Sequence, residues 1–156
     1  MKSTGRGVYI QRSTKRVSVQ TSTVRIFLWL LLQDRLLTQN NLLIRNWPAN
    51  DGCPCCFDHP LETATHLFLL CPFANSIWNR VRHLYNITTL LFTEDVIAFW
   101  LRNRPTVGVK WDTIWAATTW TIWKERNNRI FKSVARPSFL LMQEITTLVD
   151  LWITLA

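Results

Sequence analysis

Four residues in this chain have the types and the spacing to hold a metal ion: Cys53, Cys56, His66 and Cys71. They lie in CPCCFDHPLETATHLFLLCPF, which reads as C-x2-C-x9-H-x4-C. Two cysteines two apart make a tight metal-binding turn. A histidine and a cysteine five apart on a helix lie on roughly one side, a little over one turn apart. Zinc takes four ligands in a tetrahedron, drawn from Cys thiolate and His nitrogen, and structural sites are closed by four protein ligands. Three Cys and one His fill that set and leave no position for water, so the expected cofactor is a structural Zn2+ and not a catalytic one.

Other readings of the same residues stay open at this point. Cysteine is often a small buried hydrophobe. A disulfide pair needs an oxidising compartment, and no secretory signal is visible. All four cysteines fall within residues 53–71, which favours the metal. Cys55 stands between the two favoured thiols; the C-x2-C geometry selects Cys53 and Cys56, because adjacent side chains diverge, and leaves Cys55 as a spare that could exchange in. His59 is a rival to His66, but beside Pro60 it reads as a solvated loop residue. His83, near Arg80 and Arg82, reads as a surface residue on a helix.

The elements that must position these ligands read as helices. The 156 residues fit one domain of ordinary size, and 48% hydrophobic content suffices for a core. Nine Trp and eight Phe would bury a large apolar area, while only four Gly argue against a sandwich or barrel. Apolar spacing predicts helices over Val24–Leu37, Gln39–Arg45 after an N-cap Thr38, Leu61–Leu70 carrying His66, and Pro72 to about Tyr85. Further helices are expected from a Thr93 cap through Arg102, over Trp111–Phe131, and from Pro137 to about Thr154. Trp47-Pro48 ends the second helix, and Asn103 to Val109 reads as a loop. Trp111, Trp115, Trp120 and Trp123 cannot share one stripe of a helix, so some of them are expected at the surface. The fold class is all-α: a small helical domain with one zinc-tied loop and a disordered basic N-terminal arm. The expected division is 1–22 for the arm, 23–92 for the zinc-binding helical domain and 93–156 for a C-terminal helical extension. No internal repeat is found.

The charge of +8 is uneven. Residues 1–33 hold Lys2, Arg6, Arg12, Lys15, Arg16 and Arg25 and no acid, so the basicity is chiefly an arm that either meets phosphates or is a solvated tail. Its Arg, Ser and Thr content overlaps with that of organelle transit peptides, although it lacks an amphipathic period. The apolar run Ile26 to Leu32 is too short to span a bilayer, and no membrane partner is expected. The expected location is intracellular, nucleus or cytoplasm.

Four blocks resemble the zinc-binding domain that follows the reverse transcriptase in plant non-LTR (LINE-type) retrotransposon polyproteins: VRIFLWLLLQDRLLTQNNL, CPCC, ETATHLFLLCPFANSIW and WTIWKERNNRIF. Together they cover roughly residues 24–132; the second and third blocks are the specific ones. The resemblance puts the family's zinc ligands on Cys53, Cys56, His66 and Cys71, the same four that spacing selects. It departs where a Trp-rich lead is replaced by TSTVR after an unrelated basic arm. No polymerase motif of the YxDD kind occurs in this sequence. The resemblance therefore implies a detached fragment of an element, its first 20 residues an accident of the reading frame, and not an enzyme.

Two functions follow as expectations. The first is a zinc-binding module that assists nucleic-acid binding, RNA or DNA, with a reverse transcriptase domain in trans as a further partner. Its candidate contacts are Arg45 and Trp47 beside the zinc loop, and Lys124, Arg126 and Arg129, with Asn127 and Asn128, near the end of the long helix. The bland alternatives are a solvated helix end for KERNNR and a core position for Trp47. The second function is an inactive fragment whose apolar face once packed on the missing polymerase domain. An enzymatic reading lacks a Ser-His-Asp set, paired carboxylates with a His, and a Gly-rich phosphate loop.

Overall fold

A computed structural model describes residues 22–49, 52–58, 61–108 and 110–155. Among the described residues the chain is helical and has no strand. The basic arm and His59 lie outside them. The helices are α1 (Ser22–Leu32), α2 (Gln39–Ile44), α3 (Pro72–Leu84), α4 (Val96–Val107), α5 (Trp111–Phe131) and α6 (Ser138–Leu155), with a π-helical turn over His66–Leu70 between α2 and α3.

Scarce glycine does not leave the helix ends uncapped. α1 stops at Leu32, short of the expected Leu37, because Asp34 takes the left-handed conformation at φ 51° and Arg35 N–H then donates to the Leu30 carbonyl at 2.8 Å. Asn46 at φ 56° does the same after α2, with Trp47 N–H on Leu42 O at 2.9 Å. Asn86 at φ 53° follows α3, with Ile87 N–H on Arg82 O at 2.9 Å. This is the six-to-one closure usually built on glycine; Asn and Asp tolerate it because a short polar side chain bonds locally.

Two of the helices, α2 and α4, carry a side-chain cap from a short polar residue at the N-terminus. Thr38 Oγ1 accepts from Asn41 N–H at 3.3 Å and starts α2 where expected. Pro72 opens α3, where a missing N–H costs nothing. At α4 the expected cap is displaced: Asp95 accepts from Ala98 N–H at 2.8 Å, while Thr93 donates its hydroxyl to the Asp95 carbonyl at 2.8 Å. α4 also runs past Arg102 and through Pro105 to Val107. Buried Asn103 holds that turn in place, accepting from Leu91 N–H at 2.8 Å and donating to the Leu91 and Phe99 carbonyls at 3.0 and 2.8 Å.

α5 is the central element and packs against α1, α3, α4, α6 and the π-helical turn. Its tryptophans are therefore not a surface series: Trp111 and Trp115 are buried, and Trp120 and Trp123 are half-buried. Packed against five elements, the helix buries more than a single stripe, so its apolar residues need not follow one face. One aromatic cluster joins Trp78, Phe99 and Trp111, with ring centroids 4.9 Å apart for the first pair and 5.7 Å for the last. A second joins Phe27, Phe68, Trp120 and Trp123 beneath the ligand segment. α6 has the length and composition of a membrane span. One stripe of it, Leu141, Ile145, Val149 and Trp152, is buried, and its Glu144 pairs with Lys124 and with Arg136.

Candidate metal centre

The CPCC turn closes on itself when Phe57 N–H donates to the Cys53 carbonyl at 2.9 Å. Phe57 leaves the turn at φ 61°, a strained conformation for a bulky side chain, with its ring exposed. The thiols of Cys53 and Cys56 thereby share one side of the turn.

His66 and Cys71 reach the same point by a different device. The expectation that a histidine and a cysteine five apart share one side of a helix fails for a regular α-helix, where they are about 140° apart around the axis. Leu61 to Leu70 is not a regular α-helix, contrary to the sequence expectation. Residues 66–70 form a single π-helical turn in which Cys71 N–H donates to the His66 carbonyl at 2.7 Å. The i to i+5 bond brings residues five apart into register, and such turns recur at functional sites. Two carbonyls of the widened turn are taken up from α3: Trp78 Nε1–H donates to Phe68 O and Asn75 Nδ2–H to Leu69 O, both at 2.7 Å.

The result is a group in which one ligand atom each from Cys53, Cys56, His66 and Cys71 all lie within 4.8 Å of one another. Cys53 and Cys71 sulfurs are 4.0 Å apart, and Cys56 Sγ is 3.4 Å from His66 Nε2. A tetrahedral ion with Zn–S of about 2.3 Å and Zn–N of about 2.0–2.1 Å has S···S edges of about 3.8 Å and S···N edges of about 3.5 Å. The donor set fits such an ion, and the Cys53–Cys71 and Cys56–His66 edges lie close to these values. Cys55 is not part of the converging group.

The electrostatics show why these thiols go together with a cation. Hydrogen bonds from the Cys55 and Cys71 thiols, and from the Cys55 and Cys56 N–H groups, hold Cys53 far below the usual thiol range against the opposing effect of burial. Cys71 is pushed up by its hydrogen bond to Cys53, by burial and by the Cys53 charge, although the Ala74 and Phe73 N–H groups at the start of α3 favour its thiolate. Cys55 is pushed up by the same three causes. A thiolate at Cys71, with its sulfur 4.0 Å from that of Cys53, is favoured by a positive charge between them.

The five sequence-selected nucleic-acid candidates separate. Arg45 and Trp47 are exposed where the chain leaves α2, so Trp47 is not a core residue. The KERNNR segment is not a solvated helix end. Arg126 is buried, stacks on Trp123 at 5.0 Å, and places Nη2 2.6 Å and Nε 3.0–3.2 Å from the Glu62 carboxylate oxygens. Arg129 donates from Nη1 to the Cys55 carbonyl at 3.1 Å and from Nε to Glu125 at 3.1 Å, and lies over the Phe73 ring at 4.6 Å. Lys124 pairs with Glu144 and covers the Trp120 ring at 5.4 Å. Arg126 is thus a correction to the nucleic-acid list: its guanidinium is committed inside the protein. Asn127 is half-buried and accepts from Arg126 Nη1 at 3.1 Å.

Glu62 is the residue that sequence reasoning passed over. It is fully buried four positions before His66, accepts from Gln39 N–H at 3.1 Å, and donates its own N–H to Gln39 Oε1 at 2.8 Å. Its only sequence signal is its place in the ETATH block; 64 residues separate it from Arg126.

Residues 14–78, which contain all four converging side chains, match the family described as zinc-binding in reverse transcriptase. No curated protein and no solved structure matches the chain.

Proposed function

We propose that this chain is a zinc-binding module derived from a retrotransposon reverse transcriptase polyprotein of the plant LINE type, and that it assists RNA or DNA binding without catalysing a reaction. The observation that supports it most is the convergence of Cys53, Cys56, His66 and Cys71 inside the segment that matches the zinc-binding family. Zinc, held by these four side chains, would lock the CPCC turn to the π-helical turn. A reducing intracellular setting, nucleus or cytoplasm, suits three thiolate ligands.

Nucleic-acid contact on this reading rests with the exposed groups. Arg45 offers a cation to phosphate and Trp47 a ring on which an unpaired base can stack, both close to the metal turn. The cations of residues 1–21 add to them. The test is a titration of single-stranded RNA and of duplex DNA against salt. Three phosphate contacts give a slope of log K on log salt of about −2 to −3, and Arg45→Ala and Trp47→Ala should each weaken binding.

A second reading is an inactive fragment whose apolar face belonged against a polymerase domain, a partner that could also be supplied in trans. A groove of about 620 Å3 beside the metal turn favours it, because its lining includes Leu37, Phe57 and Phe131, all exposed. Absence of nucleic-acid binding at low salt decides for this reading.

A further inference from the structure

We propose that Arg126 and Arg129 of α5 are positioning residues of the metal centre, so that the ligand spacing is set by a helix outside the ligand-bearing segment; this rests on the metal reading above. The two arginines are one turn apart on α5 and hold opposite halves of the site. Arg129 donates to the Cys55 carbonyl inside the CPCC turn, a contact spanning 74 residues of sequence. Its guanidinium also covers Phe73, two residues after Cys71. Arg126 grips the carboxylate of Glu62, and Glu62 is fixed at every polar group: its N–H donates to Gln39 Oε1, and its carbonyl accepts from Asn40 N–H at 3.0 Å.

The next residue, Thr63, presents His66. Its hydroxyl accepts from His66 N–H at 3.1 Å, and its carbonyl accepts from Leu67 N–H at 2.9 Å. A displacement of Glu62 is therefore carried to the imidazole through one residue. Pulling on Arg129 moves the turn that bears Cys53 and Cys56. α5 acts as a bracket across the centre. The WTIWKERNNRIF and ETATHLF blocks are consequently two halves of one device, and the metal module extends beyond residue 78 to the end of α5.

Outer-sphere groups that orient ligands typically contribute 10- to 100-fold in metal affinity. The test uses the full chain, with zinc affinity from chelator competition and the cobalt(II) absorption spectrum as a report of ligand geometry. Arg129→Met and Arg126→Met should each lower affinity by about 10- to 100-fold and shift the cobalt bands, while Arg129→Lys, which can still donate to the Cys55 carbonyl, should recover most of the affinity. Leu141→Ala, in the buried stripe of α6, which carries none of the four ligands, should lower stability without moving the cobalt bands. If Arg126→Met fails to fold, Arg126→Lys takes its place, since a single ammonium cannot bind Glu62 two-fold. Equal affinity and spectra in the unaltered chain and both Met variants overturn the bracket alone, as does an equal effect of Leu141→Ala. A failure of the unaltered chain to bind cobalt or zinc overturns the metal reading and the bracket with it.

Discussion

Replacing Arg126 by Met tests the packing logic of the whole domain. The substitution keeps an unbranched apolar stem but removes the guanidinium, and with it both the grip on Glu62 and the stacking on Trp123. Glu62 has no exposed surface and accepts from Arg126 through both Nε and Nη2. After the substitution its carboxylate retains, of these donors, only Gln39 N–H. Removing one partner of a buried ion pair costs about 3–5 kcal/mol, because the remaining charge is left in a medium that solvates it poorly. For a chain of this size about 2–4 °C of melting temperature accompanies each kcal/mol, so the transition should fall by about 6–20 °C. Urea unfolding followed by far-ultraviolet circular dichroism, with zinc in excess, measures the loss directly, and an unchanged m-value assigns it to stability. The double variant Glu62→Met with Arg126→Met should be more stable than the single one. Its remaining deficit is the orphaned Gln39 N–H, worth about 1–3 kcal/mol. A loss below about 1 kcal/mol for Arg126→Met, the range of a surface pair, would refute the reasoning, as would a double variant less stable than the single.

Two further outcomes are expected. Cys55→Ser should leave the metal stoichiometry unchanged, because the Cys55 sulfur is not one of the four converging ligand atoms and the carbonyl that Arg129 uses is kept; elemental analysis showing lost zinc would make Cys55 a ligand. Burial opposes the charge on Glu125, yet bonds from the Arg136 Nε and N–H groups, both at 2.9 Å, and from Arg129 outweigh it and hold the carboxyl below the ordinary range. A depressed folded value means that Glu125 stabilises fully above the unfolded value of about 4.3. That contribution disappears as pH falls through the folded value. The stability gap between the unaltered chain and Glu125→Gln, measured by urea unfolding from pH 7 downwards, should stay constant to about pH 5 and narrow below it; a gap independent of pH contradicts the account.

The ligand group was legible because its information is local. CPCC and H-x4-C lie in one short segment, and the structure brings the four side chains chosen by spacing together. α5 was legible to its ends for a similar reason: its length, its flanking Gly108 and its charged last turn are all local signals. The π-helical turn was not, because nothing in HLFLL distinguishes an i+5 bond from an i+4 bond until Trp78 and Asn75 supply donors from α3. The true roles of Arg126 and Arg129 were hidden by distance. KERNNR on its own is a basic helix end, and its partners Glu62 and Cys55 lie 64 and 74 residues away. For Trp47 the sequence left a surface contact and a core position both open, and the choice depends on Asn46, whose left-handed conformation turns the chain so that the ring meets solvent.

The central claim is that Cys53, Cys56, His66 and Cys71 hold one metal ion. Elemental analysis of the purified full chain, alongside His66→Ala and Cys71→Ser, tests it most directly. One zinc per chain in the unaltered protein, falling well below one in both variants, is the expected result. No zinc in the unaltered chain, or full occupancy in Cys71→Ser, contradicts it.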